Sequence, residues 1–313
     1  MKLHVVLSAA LSLTACGGPP TLALRPPATA ADDASHRHGS FTGADGVALF
    51  EQSWHPAGTP RAVVVIHHGL KSHSDHYAPF AARLVARGLA VYAYDMRGHG
   101  RSAGQRATLD RVDALLDDLG TFLDRVRARE PGRPVFLLGH SAGGAAVTLF
   151  TLERRPSLAG LVLLAPALRV DRSPIEAAAT PVAAILTPNA GLLDTPDADF
   201  YRAPDAVRAM ADDPLIFHDP APARTAATIT AAIERIWARA DTLDVPLLGA
   251  HGTDDRLTDP RGTAELARRA RHADHTLLLY RGLRHDLLHE PEREQVAADL
   301  ERWIDAHAPA AAP

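Results

Sequence analysis

The chain first suggests chemistry at a serine set between glycines. Gly139-His140-Ser141-Ala142-Gly143 follows the apolar run Pro134-Val135-Phe136-Leu137-Leu138 and leads into Gly144-Ala145-Ala146-Val147-Thr148-Leu149-Phe150, which reads as a helix. A strand, a Gly-x-Ser-x-Gly turn and a helix make the setting of a nucleophile elbow. So tight a turn puts the serine in a strained backbone conformation, and side chains at 139 and 143 would collide with the neighbouring strand and helix. The turn also aims the first amides of the helix at whatever sits above, where the helix dipole favours negative charge.

A serine hydroxyl is a poor nucleophile at neutral pH. It needs a base, and the base needs an orienting carboxylate. In a strand–helix alternation they come in the order serine, acid, histidine, each after a later strand. Asp254, Asp255 and Asp259 follow the run ending at Ala250, and His285 follows the run ending at Tyr280, after Arg281-Gly282-Leu283-Arg284. His289 is within reach of the same loop. His68, His99 and His140 read as structural supports around the elbow.

The elements that must position these groups alternate. Asp45-Gly46 between two alternating apolar pieces signals a hairpin. Arg61 to Gly69 is a β-branched run of a strand buried on both faces. Helical spacing over His76–Arg87 precedes the strand Leu89–Asp95 and the glycine-rich loop Arg97-Gly98-His99-Gly100-Arg101-Ser102. Val112–Ala128 is a long amphipathic helix. The elbow unit and the strand Leu161–Pro166 follow. From Arg169 to about Thr242 the rhythm breaks into prolines and Ala-rich stretches, with one clear helix over Thr225–Ala240. This predicts a helical cap, because it leaves the sheet at a strand's carboxyl end. A strand at Val245–Gly252, a helix at about Pro260–Arg271, a strand at Thr276–Tyr280 and a helix at Glu292–Ala306 complete the chain. The whole predicts an α/β fold with a mostly parallel central sheet and helices on both faces.

At these residues the sequence resembles a family. Ala62–Gly69, Asp95-Met96-Arg97-Gly98-His99-Gly100, Gly139–Gly144, His251-Gly252-Thr253-Asp254-Asp255 and Tyr280–Glu290 look like the monoacylglycerol lipase and lysophospholipase branch of the α/β-hydrolases, of the serine aminopeptidase S33 type. The resemblance spans about Gly39 to Ala306 and implies an α/β-hydrolase fold. It implies Ser141 as nucleophile, Asp255 as acid through His-Gly-x-x-Asp, and His285 as base through Gly-x-x-His. It implies oxyanion donors in the backbone amides of Leu70 and Ala142, where the family often carries methionine at the latter position. Asp254 stays open as an alternative acid. The implied substrate is a small acyl ester or lipid, cleaved through an acyl-enzyme with no cofactor and no metal. A generic esterase or thioesterase, or a lipoprotein that only binds, are the rival readings.

Lys71-Ser72-His73-Ser74-Asp75-His76 is close to the His-x-His-x-Asp-His signature of metal hydrolases, but position 71 is lysine, which is no ligand at neutral pH. It reads as a polar loop into the next helix.

Composition bounds the rest. The 313 residues are 46% hydrophobic and 22% charged, with a net charge of −4 and scattered arginines, which gives no reason to expect nucleic acid. No apolar run is long enough to span a bilayer as a mature helix. Cys16 is the only cysteine, so no intrachain disulfide can form. Met1-Lys2, the apolar Val5–Leu13 and Leu13-Thr14-Ala15-Cys16 resemble a bacterial lipoprotein signal, which implies cleavage before Cys16 and lipidation there. The expected organisation is a signal at 1–15, a Pro/Ala-rich disordered tether at 16–37, a core at 38–168 and 242–308, and the cap at 169–241.

Overall fold

The computed structural model describes residues 18–25, 35–170 and 174–310. The signal segment and Cys16 lie outside the described residues. Eight strands form one sheet: β1 His36–Thr42, β2 Ala48–Trp54, β3 Ala62–His67, β4 Leu89–Tyr94, β5 Val135–His140, β6 Gly160–Leu164, β7 Leu247–Gly252 and β8 His275–Tyr280. Their order across the sheet is β8-β7-β6-β5-β3-β4-β2-β1. β1 and β2 pair antiparallel, β2 runs antiparallel to β4, and all other neighbours are parallel. The Asp45-Gly46 turn joins β1 to β2 with positive φ at both residues (59° and 76°), which is why Gly follows Asp there.

The strands alternate their side chains between two cores, as a period of two requires. Val63, Val65, Tyr92, Tyr94, Leu137 and Leu163 face one layer, with α2 (Val112–Arg129) and α3 (Ser141–Arg154) packed over them. Val64, Ile66, Leu138 and Val162 face the other, under α1 (Ala78–Ala86) and the carboxyl-terminal helix Arg293–His307. With β3 and β5 wholly buried, only near-continuous apolar runs could occupy those places.

Between β6 and β7 the chain builds the cap: α4 Pro174–Leu186, α5 Asp197–Phe200, α6 Pro204–Ala211 and α7 Ala223–Trp237. α8 Pro260–Arg269 and α9 Arg293–His307 follow. α7 packs against both α3 and α4. A two-strand pair, Gly191–Leu193 with Ala221–Pro222, is woven between the cap helices, which the proline-rich sequence does not signal. α4 leaves Val182, Ile185 and Leu186 exposed, Ile185 at 79%. None of the helices among the described residues is long and apolar enough to cross a membrane.

Part of the expected tether is seated on the domain. Thr21–Leu22 pairs antiparallel with Gly104–Gln105, and the Arg106 and Arg25 amides donate to Pro20 and Arg101 carbonyls at 2.8 Å each. The glycine-rich loop offers main-chain groups that any extended segment can pair with, so low apolar content does not prevent docking.

The centre of the first core is Phe122 on α2, fully buried, with Tyr94 at 4.7 Å and Phe41 at 5.4 Å between ring centroids. Phe122→Ala is expected to destabilise the domain by about 3–5 kcal/mol, read as a lowered urea midpoint with an unchanged slope.

Candidate active site

Ser141 stands where β5 turns into α3, with φ at 53°. A left-handed backbone at a non-glycine residue costs of order 1–3 kcal/mol and persists only where surroundings impose it. Here they do. A Cβ on Gly143 would lie 2.2 Å from the His68 carbonyl oxygen, and one on Gly139 would lie 2.4 Å from Val147 Cγ2. The Ala167 amide donates to the Ser141 carbonyl at 2.9 Å and fixes the turn from β6. Ala142 is in the first turn of α3, so its amide is one of the donors that helix geometry leaves without an intrahelical partner. The loop after β3 closes the other side: a Cβ on Gly69 would come within 2.9 Å of Ser141 Cβ. Leu70, next in line, shares with Ser141 and Ala142 the wall of a small cavity of about 50 Å³. The cap supplies Leu193, Phe200 and Ile229 to the same wall.

β7 and β8 are parallel neighbours with Gly252 opposite Tyr280, so their following loops emerge side by side. Asp255 and His285 meet there, Nδ1 to Oδ2 at 2.7 Å, both side chains with no exposed surface. An ionised carboxylate only accepts, so His285 Nδ1 carries the proton and Nε2 keeps its lone pair. Nε2 is buried with no hydrogen-bond partner. The His285 ring lies 4.9 Å from the His140 ring, beside Ser141, and its carbonyl lies 3.3 Å from His140 Nε2. Phe200 of the cap meets the His285 ring edge-on at 5.4 Å.

Asp255 is bonded from every side. Its Oδ1 accepts the amides of Leu257 (2.8 Å) and Thr258 (2.9 Å). Its Oδ2 accepts from Thr258 Oγ1 at 2.9 Å and from His251 Nε2 at 3.1 Å, in addition to His285. Burial pushes the carboxyl up. The charge of His285 and the bonds from His251 and His285 outweigh burial and hold it well below the usual carboxylate range.

The alternatives separate cleanly. Asp254 is exposed and accepts from its neighbour Thr253 Oγ1 at 3.2 Å. Asp259 caps α8, accepting the Arg261 amide at 2.9 Å. His289 Nδ1 lies 3.0 Å from Asp286 Oδ1, in a separate pair. His68 is a support: its Nε2 accepts the Met96 amide at 2.8 Å, so its Nδ1 donates to the Gly69 carbonyl at 2.7 Å. Burial pushes its imidazole well below the usual range. His99 Nδ1 likewise donates to the Arg97 carbonyl at 2.9 Å.

Two partners of Asp255 escape a reading of the sequence. His251 is visible only as part of His-Gly-x-x-Asp, and Thr258 carries no motif. Lys71, whose type excludes it as a metal ligand, is buried, and its Nζ donates to the cap carbonyls of His218 (3.1 Å) and Thr195 (3.3 Å). Burial pushes its ammonium below the usual lysine range against the pull of Asp197, Asp194 and Asp219.

The same residue types also meet elsewhere. His55 Nε2 lies 2.9 Å from Ser53 Oγ and its Nδ1 3.7 Å from Glu130, at a polar cleft of about 760 Å³. Ser53 lies inside β2, which is paired on both edges, rather than at the start of a helix. The elbow serine stands at one.

Comparison with known proteins identifies the family. The family profile described as "Serine aminopeptidase, S33" matches residues 58–292. A monoacylglycerol lipase of Mycolicibacterium smegmatis is 35% identical over 86% of this chain and 96% of its own. Human monoglyceride lipase is 33% identical over 83% of this chain and 88% of its own. Among solved structures, the monoacylglycerol lipase of Paleococcus ferrophilus superposes with a TM-score of 0.74 at 28% identity, covering 83% of this chain and 99% of that one. The chain belongs to the serine aminopeptidase S33 family and has the α/β-hydrolase fold.

Proposed function

We propose that Ser141, His285 and Asp255 are the catalytic triad of this carboxylic ester hydrolase, and that it cleaves glycerol monoesters of fatty acids or the related lysophospholipids. The single observation that carries the triad is the buried His285–Asp255 bond, which leaves an unpartnered Nε2 beside the elbow. Ser141 Oγ attacks the ester carbonyl as its proton passes to His285 Nε2. The Asp255 carboxylate faces the resulting imidazolium, and the Leu70 and Ala142 amides hold the oxyanion. The imidazolium then gives its proton to the departing alcohol. Water, deprotonated by His285, cleaves the acyl-enzyme and frees the carboxylic acid.

The substrate class is supported by the apolar cavity wall of Leu70, Leu193, Phe200 and Ile229, and by the monoacylglycerol lipases among the relatives. In a series of glycerol monoesters, kcat/KM is expected to rise with acyl length beyond four carbons. A maximum at acetate or butyrate would point to a small soluble ester instead. Ser141→Ala is expected to lower kcat by about a million-fold and to lose labelling by a fluorophosphonate probe; labelling of the wild type at another residue would overturn the triad.

A general base must be neutral to act. Asp255 is held well below the usual carboxylate range, so its carboxylate stays charged as the medium is acidified. kcat/KM is therefore expected to fall with unit slope as pH drops, about tenfold per pH unit. A profile flat to pH 4 would rule out an imidazole base.

The reading extends to location. Leu13-Thr14-Ala15-Cys16 supports an exported protein anchored through lipid on Cys16, in the cell envelope. The exposed Val182, Ile185 and Leu186 of α4 suit apposition to lipid. Cys16→Ser is expected to move the protein from salt-washed membranes to the soluble fraction; retention in the membrane would remove the anchor.

A further inference from the structure

The loop after β3 holds a second cluster, outside the Ser141 site. The His73 and His76 rings lie 4.1 Å apart between centroids, tilted by 46°. Their Nε2 atoms converge on one oxygen of the cap: Asp213 Oδ2 lies 2.8 Å from His73 Nε2 and 3.2 Å from His76 Nε2. All three atoms fall within 4.8 Å of one another. Asp213 follows α6 and is 137 and 140 residues away in sequence. A surface cavity of about 560 Å³ opens beside the three, between Arg25, Arg101 and Leu215.

We propose that His73 Nε2, His76 Nε2 and Asp213 Oδ2 bind one divalent cation of the zinc class, which fastens the cap to the loop that carries Leu70. Two imidazoles and one carboxylate form a donor set that zinc favours, with solvent from the cavity as fourth ligand. Zinc bonds of about 2.0–2.1 Å in a tetrahedron set ligand atoms about 3.3 Å apart. The observed 2.8 and 3.2 Å therefore need to open by only a few tenths of an ångström.

The surroundings hold each ligand in the required state. Asp213 Oδ1 is occupied by the Leu215 amide at 2.8 Å, which leaves Oδ2 for the histidines. His76 Nδ1 lies 3.0 Å from Ser72 Oγ. His73 Nδ1 is buried without a hydrogen bond, 3.9 Å from Asp75 Oδ2. Asp75 is itself fixed by Gln52 Nε2 (2.6 Å) and Arg101 Nη1 (2.5 Å). A histidine ligand characteristically presents its second nitrogen to a carboxylate or hydroxyl, which fixes the tautomer. A cation on Nε2 moves the His73 proton to Nδ1, towards Asp75, and so gives the orphaned nitrogen a purpose. The loop lacks the first histidine of the metal-hydrolase signature, but the third ligand comes from the cap instead.

The test is calorimetric titration of full-length, chelator-stripped protein with zinc chloride, with magnesium chloride as control. One zinc per chain at micromolar or lower Kd is expected, with no magnesium heat. Asp213→Asn and His76→Gln, each near-isosteric in hydrogen bonding, are expected to weaken zinc at least tenfold. With 17 histidines in the chain, unchanged affinity in both variants would place zinc elsewhere and overturn the proposal, as would no binding by the wild type. Should the variants not fold, wild-type crystals soaked in zinc decide by anomalous diffraction: a peak among the three side chains supports the site, and none there refutes it.

Discussion

A carboxylate with no exposed surface constrains this molecule more than any other single group. Taking Asp255 out of water costs several kcal/mol unless donors replace its hydration. Five donors do so, drawn from the end of β7, the loop beyond it and the loop after β8. They can converge only because β7 and β8 are adjacent and in register. One of the five is the imidazole of His285. The bond that satisfies the buried charge is thus also the bond that fixes the imidazole's tautomer.

The elbow answers a second constraint, of space. β3 and α3 approach so closely that a side chain at 143 has no room, and the strain at Ser141 is held by packing on three sides. The cap then seals the site through scattered polar ties. Lys71 reaches two cap carbonyls, Arg106 Nη2 donates to the Leu215 carbonyl at 2.6 Å, and Trp237 Nε1 donates to the Leu168 carbonyl at 2.8 Å. Such ties are individually modest, which suits a layer that must admit an ester to a cavity as small as the one above Ser141.

What the sequence discloses follows from how local each signal is. The Asp45-Gly46 turn, the β-branched strands and the elbow glycines each state a local backbone requirement, and each is found where the residues place it. His285 was readable from chain order, whereas choosing Asp255 over Asp254 needed the family's pattern, since both are adjacent carboxylates and burial alone separates them. Thr258 and Asp213 were not legible. Their partners come from other loops, and neither residue type announces a distant contact. The seated segment 18–25 was hidden for another reason: it is held by main-chain bonds, which composition does not register.

That seated segment changes what a lipid on Cys16 would do. One residue, Gly17, separates Cys16 from Gly18, a reach of about 7 Å at full extension. Gly18 is also packed against Asn189, where a Cβ would lie 2.6 Å from its Cγ, three residues past Leu186. The enzyme would then hang on no long leash. It would be moored at close quarters, with restricted swivel, beside the greasy end of α4, and its entrance would be presented to the bilayer in a preferred attitude.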